Sequence, residues 1–192
     1  MNLGEKSDGR KYSRVLRRSV AILDYLNKDR VFSFKEIATE INASKNDKFI
    51  EFYNSRTDEQ MSVYRIMDYI RYLEHLKSFV KIENDKYKLN FNKPNNDSQW
   101  IIKLSDQALE HISSTLNLDA AKAIEKLKKI ITENFQNNEI PTIDSIIEEL
   151  NIDTNKSKEL IRWSLYVFLD SPICPFELKR NPFIIIKNHN HD

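Results

Sequence analysis

The chain has 192 residues, 40% of them hydrophobic and 31% charged, which is the balance of a soluble protein with material for one medium core or two small ones. Its formal net charge of +1 excludes a uniformly basic nucleic-acid binder. The only glycines, Gly4 and Gly9, lie in the first ten residues, which excludes the glycine-rich loops of nucleotide enzymes and the nucleophile elbow of α/β-hydrolases.

Residues 1–12, rich in Gly, Ser, Asp, Lys and Arg, read as a mobile tail. A first helix is expected from Ser13 to Lys28, with Leu16, Val20, Leu23 and Leu26 as its buried stripe. Ser33-Phe34-Lys35-Glu36 has capping-box spacing and opens a second helix that runs to about Asn42. Residues 43–57 break the pattern, and Phe49, Ile50 and Tyr53 suggest an inserted amphipathic turn or short helix. Thr57 and Gln60 repeat the capping spacing, so a longer helix is expected from Thr57 to about Lys77. Phe79–Glu83 and Lys86–Phe91 alternate around Asn84-Asp85 and read as a hairpin. Asn92–Ser98 has linker composition, and residues 93–104 are expected to join domains at 13–92 and 105–188.

The second half opens with a helix after Ser105 and continues with a long one from Asp119 to Phe135, whose apolar face is Ala123, Ile124, Leu127, Ile130 and Ile131. Pro141-Thr142 starts a short helix through Leu150. The tight turn Asn151-Ile152-Asp153 leads into a helix from Thr154 to Leu169. Phe176–Arg180 and Phe183–Lys187 flank Asn181-Pro182 as a second hairpin.

Both halves therefore run helix, helix, helix, hairpin, an order that resembles the winged helix-turn-helix family. The resemblance spans Ser13 to Lys187 and lies in element order and capping, without a signature motif. It implies a mainly α fold with small β-hairpins (α+β), arranged as two winged-helix-like units in tandem. It also implies a non-catalytic module whose third helix docks onto double-stranded DNA or a protein. The insert at 43–57 departs from the family, whose turn at this point is only a few residues long.

Charge points to the first half as the DNA-contacting one. Residues 1–98 carry 19 Lys and Arg against 15 Asp and Glu, whereas residues 99–192 carry 11 against 14. On the third helix, Val63, Ile66, Ile70, Leu73 and Lys77 form one side, and Met61, Tyr64, Arg65, Asp68, Arg71, Tyr72 and His75 the other. Arginine forks suit phosphate and guanine edges, and tyrosine hydroxyls reach phosphate oxygens, so Tyr64, Arg65, Arg71 and Tyr72 are candidate DNA contacts. The plainer alternative is a solvated face with i,i+4 pairs. Arg10, Lys11, Arg14, Arg17 and Arg18 form a basic cluster able to neutralise phosphates, or else a solubilising N-terminus. By the resemblance, the wing lysines Lys81, Lys86 and Lys88 touch the DNA backbone, although Glu83 and Asp85 beside them dilute that role.

The last long helix differs. Leu160, Ile161, Ser164, Leu165 and Phe168 make its inner face, leaving Glu159, Trp163, Tyr166 and Val167 as an outer face. That surface suits a homodimer or protein-partner interface, unless another part of the chain covers it. The leading expectation is a cytoplasmic, DNA-binding transcriptional regulator without cofactor or metal. The alternative is an adaptor subunit of a chromosome-organising or defence ATPase complex, favoured by the low net charge and the aromatic outer face. Cytoplasmic placement follows from the single Cys174, the apolar-poor Met1–Lys6 and the absence of a run long enough to span a membrane. His189 and His191 at the end of the chain, and Cys174 between Pro172-Ile173 and Pro175, carry no catalytic or metal signature.

Overall fold

Ser13 caps the first helix, α1 (Arg14–Tyr25), by accepting from the Leu16 amide at 3.3 Å. Leu16, Val20, Leu23 and Leu26 are all buried, so the expected stripe is the face that α1 turns to its core. The structure, a computed structural model, describes residues 3, 6, 11–44, 47–54, 57, 59–137, 139–152, 155–172, 174, 176–179 and 183–186. It is mainly helical, with small two-stranded antiparallel sheets, and divides into two units, Met1–Trp100 and Ile101–Asp192.

In the first unit, the capping box predicted at Ser33 forms in both directions. The Glu36 amide donates to Ser33 Oγ at 3.2 Å, and the Ser33 amide donates to Glu36 Oε2 at 3.3 Å. It starts α2 (Phe34–Ala43), which buries Ile37, Ala38 and Ile41. The third helix, α3 (Val63–His75), packs against both α1 and α2 and ends with Lys77 at φ 58. Strands β3 (Phe79–Glu83) and β4 (Lys86–Leu89) pair antiparallel around Asn84-Asp85, with a bulge between Lys81 and Glu83. Phe32, just before the α2 cap, exchanges two backbone hydrogen bonds of 2.9 Å with Tyr87. That bridge, with the Phe34 ring stacked on Tyr87 at 4.2 Å, fastens the hairpin to the start of α2.

The interruption at 43–57 is structured where it is described. A 3₁₀ segment (Asp47–Phe52) leads into β1 (Tyr53–Asn54), which pairs with β2 (Glu59–Gln60). Phe49 and Phe52 are buried and continue an edge-to-face chain from Tyr25 to Tyr69, with ring centroids 5.1, 6.3 and 6.2 Å apart. The insert is thus part of the core. Gln60 Nε2 donates to the Ile41 carbonyl at 3.1 Å and Asn42 Nδ2 to the Met61 carbonyl at 2.9 Å, satisfying polar groups where α2 ends. This pairing corrects the start of the third helix. Thr57 sits between β1 and β2, its amide donating to the Asn54 carbonyl at 3.2 Å, and the working cap is Ser62.

The expected linker at 93–104 is also corrected, because α4 (Asp97–Thr115) begins inside it. Trp100, Ile101 and Leu104 are buried, so this stretch carries core residues that its polar lead-in conceals. The second unit continues with α5 (Ala120–Gln136), α6 (Ile143–Glu149) and α7 (Asn155–Leu169), followed by β5 (Phe176–Lys179) paired with β6 (Phe183–Ile186). Thr142 and Ser145 form a capping box that starts α6. Asn134 Nδ2 donates to Glu149 Oε1 at 2.6 Å, joining α5 to α6, and Arg162 Nε donates to Asp144 Oδ1 at 3.1 Å, joining α7 to α6.

Candidate nucleic-acid interface

The α3 helix presents an outward row. Tyr64 is 80% exposed, and Arg65, Arg71 and His75 are exposed beside it. Arg71 Nη1 donates to Asp68 Oδ1 at 3.1 Å, so Asp68 directs that guanidinium along the helix. Tyr72 does not belong to this row. It is fully buried with Ile66, Tyr69, Ile70 and Leu73, because α3 packs on two helices and buries a wider arc than a single stripe.

The basic cluster separates into two kinds of arginine. Arg17 is an internal brace: it donates to the Tyr12 carbonyl at 3.0 Å and to the Glu51 carboxylate, with both side chains mostly buried. Arg18 is another, donating from Nε to the Glu51 carbonyl at 2.8 Å and from Nη1 to the Tyr69 hydroxyl at 2.6 Å. Arg14 and Arg65, by contrast, are exposed and have no side-chain partner among the described residues. Lys11 is exposed, and Arg10 lies outside the described residues.

Arg14, Arg18 and Arg65 line one cleft of about 640 Å³. Its walls are the start of α1, residues 50–54 of the insert, Thr57, and the segment from Glu59 to Ser62 that leads into α3. The insert therefore borders the α3 row without lying over Tyr64. Sequence reasoning found the arginines but missed Glu51, Gln60 and Ser62. Glu51 stands 34 residues from Arg17, so no local spacing announces the pair.

Among the wing residues, Lys81 and Lys88 are exposed, whereas Lys86 stands 3.8 Å from Glu36 Oε2 and neutralises part of the α2 cap. Glu36 is held below the usual carboxylate range by Arg30, by its hydrogen bond from the Ser33 amide and by Lys86.

The α7 face expected to meet a partner is largely interior. Trp163 is 7% exposed and Val167 is fully buried, a correction to their assignment as interface residues. The first helix of the unit lies against this face: Ser105 Oγ donates to the Val167 carbonyl at 3.3 Å, and His111 Nδ1 stands 2.9 Å from Ser164 Oγ. Trp163 Nε1 donates to Glu159 Oε1 at 2.9 Å, one turn back on the same helix. Only Glu159 is exposed, with Tyr166 half-buried and its hydroxyl pKa raised chiefly by burial.

Cys174 is buried, and His189 and His191 lie outside the described residues. Among the described residues no group of three or more His, Cys, Asp or Glu side chains is placed to hold a metal ion, and no helix is long and apolar enough to cross a membrane. Comparison with family models, curated proteins and solved structures finds no match.

Proposed function

We propose that this chain is a tandem winged-helix-like protein whose first unit binds double-stranded DNA, acting in the cytoplasm as a transcriptional regulator. The observation that carries the reading is the row Tyr64, Arg65 and Arg71 on α3, with the unpartnered Arg14 beside the start of that helix. A helix that offers guanidinium forks and a tyrosine hydroxyl outward, while its other side is locked into two helices, is equipped to enter a groove. Lys81 and Lys88 on the hairpin extend the same charge as backbone contacts. The Phe32–Tyr87 bridge agrees with this reading, because it fastens the hairpin to the segment before α2.

The adaptor alternative loses one of the two features that favoured it, since Trp163 and Val167 are interior, and keeps the low net charge. Dimerisation through α7 loses the same anchors, leaving Glu159 and the edge of Tyr166. Fluorescence anisotropy of a labelled duplex tests the reading: saturable binding that weakens as salt rises supports it, and no binding at low salt ends it.

A further inference from the structure

We infer that the cleft at the start of α3 is a binding site for a phosphate monoester of nucleotide size, a second function that shares Arg14 and Arg65 with the proposed duplex contact. Its volume of about 640 Å³ falls within the range of roughly 300–1,000 Å³ that small-molecule sites occupy. Three arginines, Arg14, Arg18 and Arg65, line it. Arg18 is fixed by the Glu51 carbonyl and the Tyr69 hydroxyl, bonds that use Nε and Nη1 and leave Nη2 for a ligand. Arg14 and Arg65 have no partner to surrender among the described residues.

Two carboxylates also line the cleft, and they decide its selectivity. Glu51 is already neutralised by Arg17, so among the described lining residues Glu59 is the carboxylate left to oppose the three arginines. That balance favours a dianion, such as the terminal phosphate of a mononucleotide, over the single charge of a backbone phosphodiester. Ser62 caps α3 at the rim, so the positive end of the helix dipole adds to the same field. Tyr53 and Ile50, 41% and 54% exposed and also lining the cleft, offer apolar surface against which a base can rest. The cleft thus combines basic and apolar lining residues, which a flat phosphate-contacting surface does not need.

The test is an NMR titration of the ¹⁵N-labelled full chain with 5′-AMP, inorganic phosphate and adenosine in turn. AMP and phosphate are expected to move the Gln60, Ser62 and Arg65 amides saturably, and adenosine to leave them in place. Arg14→Gln and Arg65→Gln, both at exposed and unpartnered positions, should each weaken AMP about tenfold while leaving the rest of the spectrum unchanged. Amides unmoved by millimolar AMP, or AMP affinity indifferent to both substitutions, would overturn the inference. A labelled duplex titrated in parallel separates the two claims. Duplex binding without AMP binding removes the cleft site alone, and AMP binding without duplex binding removes the DNA reading alone.

Discussion

Arg18 donates from Nη1 to the hydroxyl of Tyr69 at 2.6 Å, a bond that spans 51 residues and ties α1 to α3. With its second bond to the Glu51 carbonyl, it holds the insert and both helices in one arrangement. Arg18 therefore belongs to the framework, although it shares a helical stripe with Arg14. Arg18→Ala is expected to lower unfolding free energy by about 1.5–3 kcal/mol, the cost of hydrogen bonds made by a charged donor. Arg14→Ala should change it by less than about 0.5 kcal/mol. Urea titrations of the two variants check this; equal effects would mean that Arg18 is not a brace.

The two tyrosines assigned to the outer face should part in the same way. Tyr72 is fully buried and Tyr64 is 80% exposed, so their truncation reads packing in one case and surface in the other. Tyr72→Ala should cost about 3–5 kcal/mol, in line with large-to-small core changes. Tyr64→Ala should leave stability within about 0.5 kcal/mol and weaken DNA binding instead.

Acid should loosen the contact between the end of α1 and α2. Arg30 donates to Glu40 Oε1 at 2.5 Å and to Glu36 Oε1 at 2.9 Å, and the Tyr25 hydroxyl donates to Glu40 Oε2 at 2.6 Å. The Arg30 guanidinium holds both carboxyls below their ordinary range, with the Tyr25 hydroxyl assisting at Glu40. Their folded pKa values being depressed, the unfolded chain binds protons first. The stability they contribute is complete above the unfolded value of about 4.3 and is lost as pH falls through the folded values. Both side chains sit near the surface, so the effect is modest and screened by salt. Melting temperatures from pH 6 down to about pH 3 should show a shallower acid slope for Glu40→Gln than for the wild type; parallel slopes would contradict the assignment.

Scarce glycine leaves a mark on the backbone. Lys77, Asp85, Asn117 and Asn151 all take positive φ, between 52° and 58°, at helix ends or in the hairpin turn. After α3, the Lys77 amide donates to the Glu74 carbonyl at 2.8 Å and the Ser78 amide to the Leu73 carbonyl at 3.0 Å, the paired bonds of a Schellman ending. A side chain in this region costs about 1–2 kcal/mol, which outweighs the extra entropy that a glycine loses on folding. Lys77→Gly is expected to raise stability by up to about 1 kcal/mol in urea unfolding, and a decrease would contradict it.

What was legible in the sequence is what local chemistry specifies. Ser33 with Glu36 marks a cap, Asn84-Asp85 marks a turn, and Leu16, Val20, Leu23 and Leu26 mark a buried face, and each stands where it was expected. Errors arose where a distant partner decides. Thr57 has the spacing of a cap, but strand pairing between Tyr53-Asn54 and Glu59-Gln60 takes that segment. Tyr72, Trp163 and Val167 fall outside a one-sided stripe, yet each helix is covered from more than one direction. At the site, the arginines were visible as composition, whereas the split between braces and free groups depends on Glu51 and Tyr69, far away in the chain.

Arg14, Arg65 and Arg71 are the proposed contacts to DNA phosphates or bases, and duplex affinity across a salt series tests them, wild type against Arg14→Ala/Arg65→Ala/Arg71→Ala. The wild type should bind with affinity that falls steeply with salt. The triple variant should bind weakly and with a flatter dependence, the logarithmic slope falling by about 0.9 for each phosphate it no longer neutralises. A triple variant that matches the wild type in affinity and slope would mean that these arginines do not contact DNA.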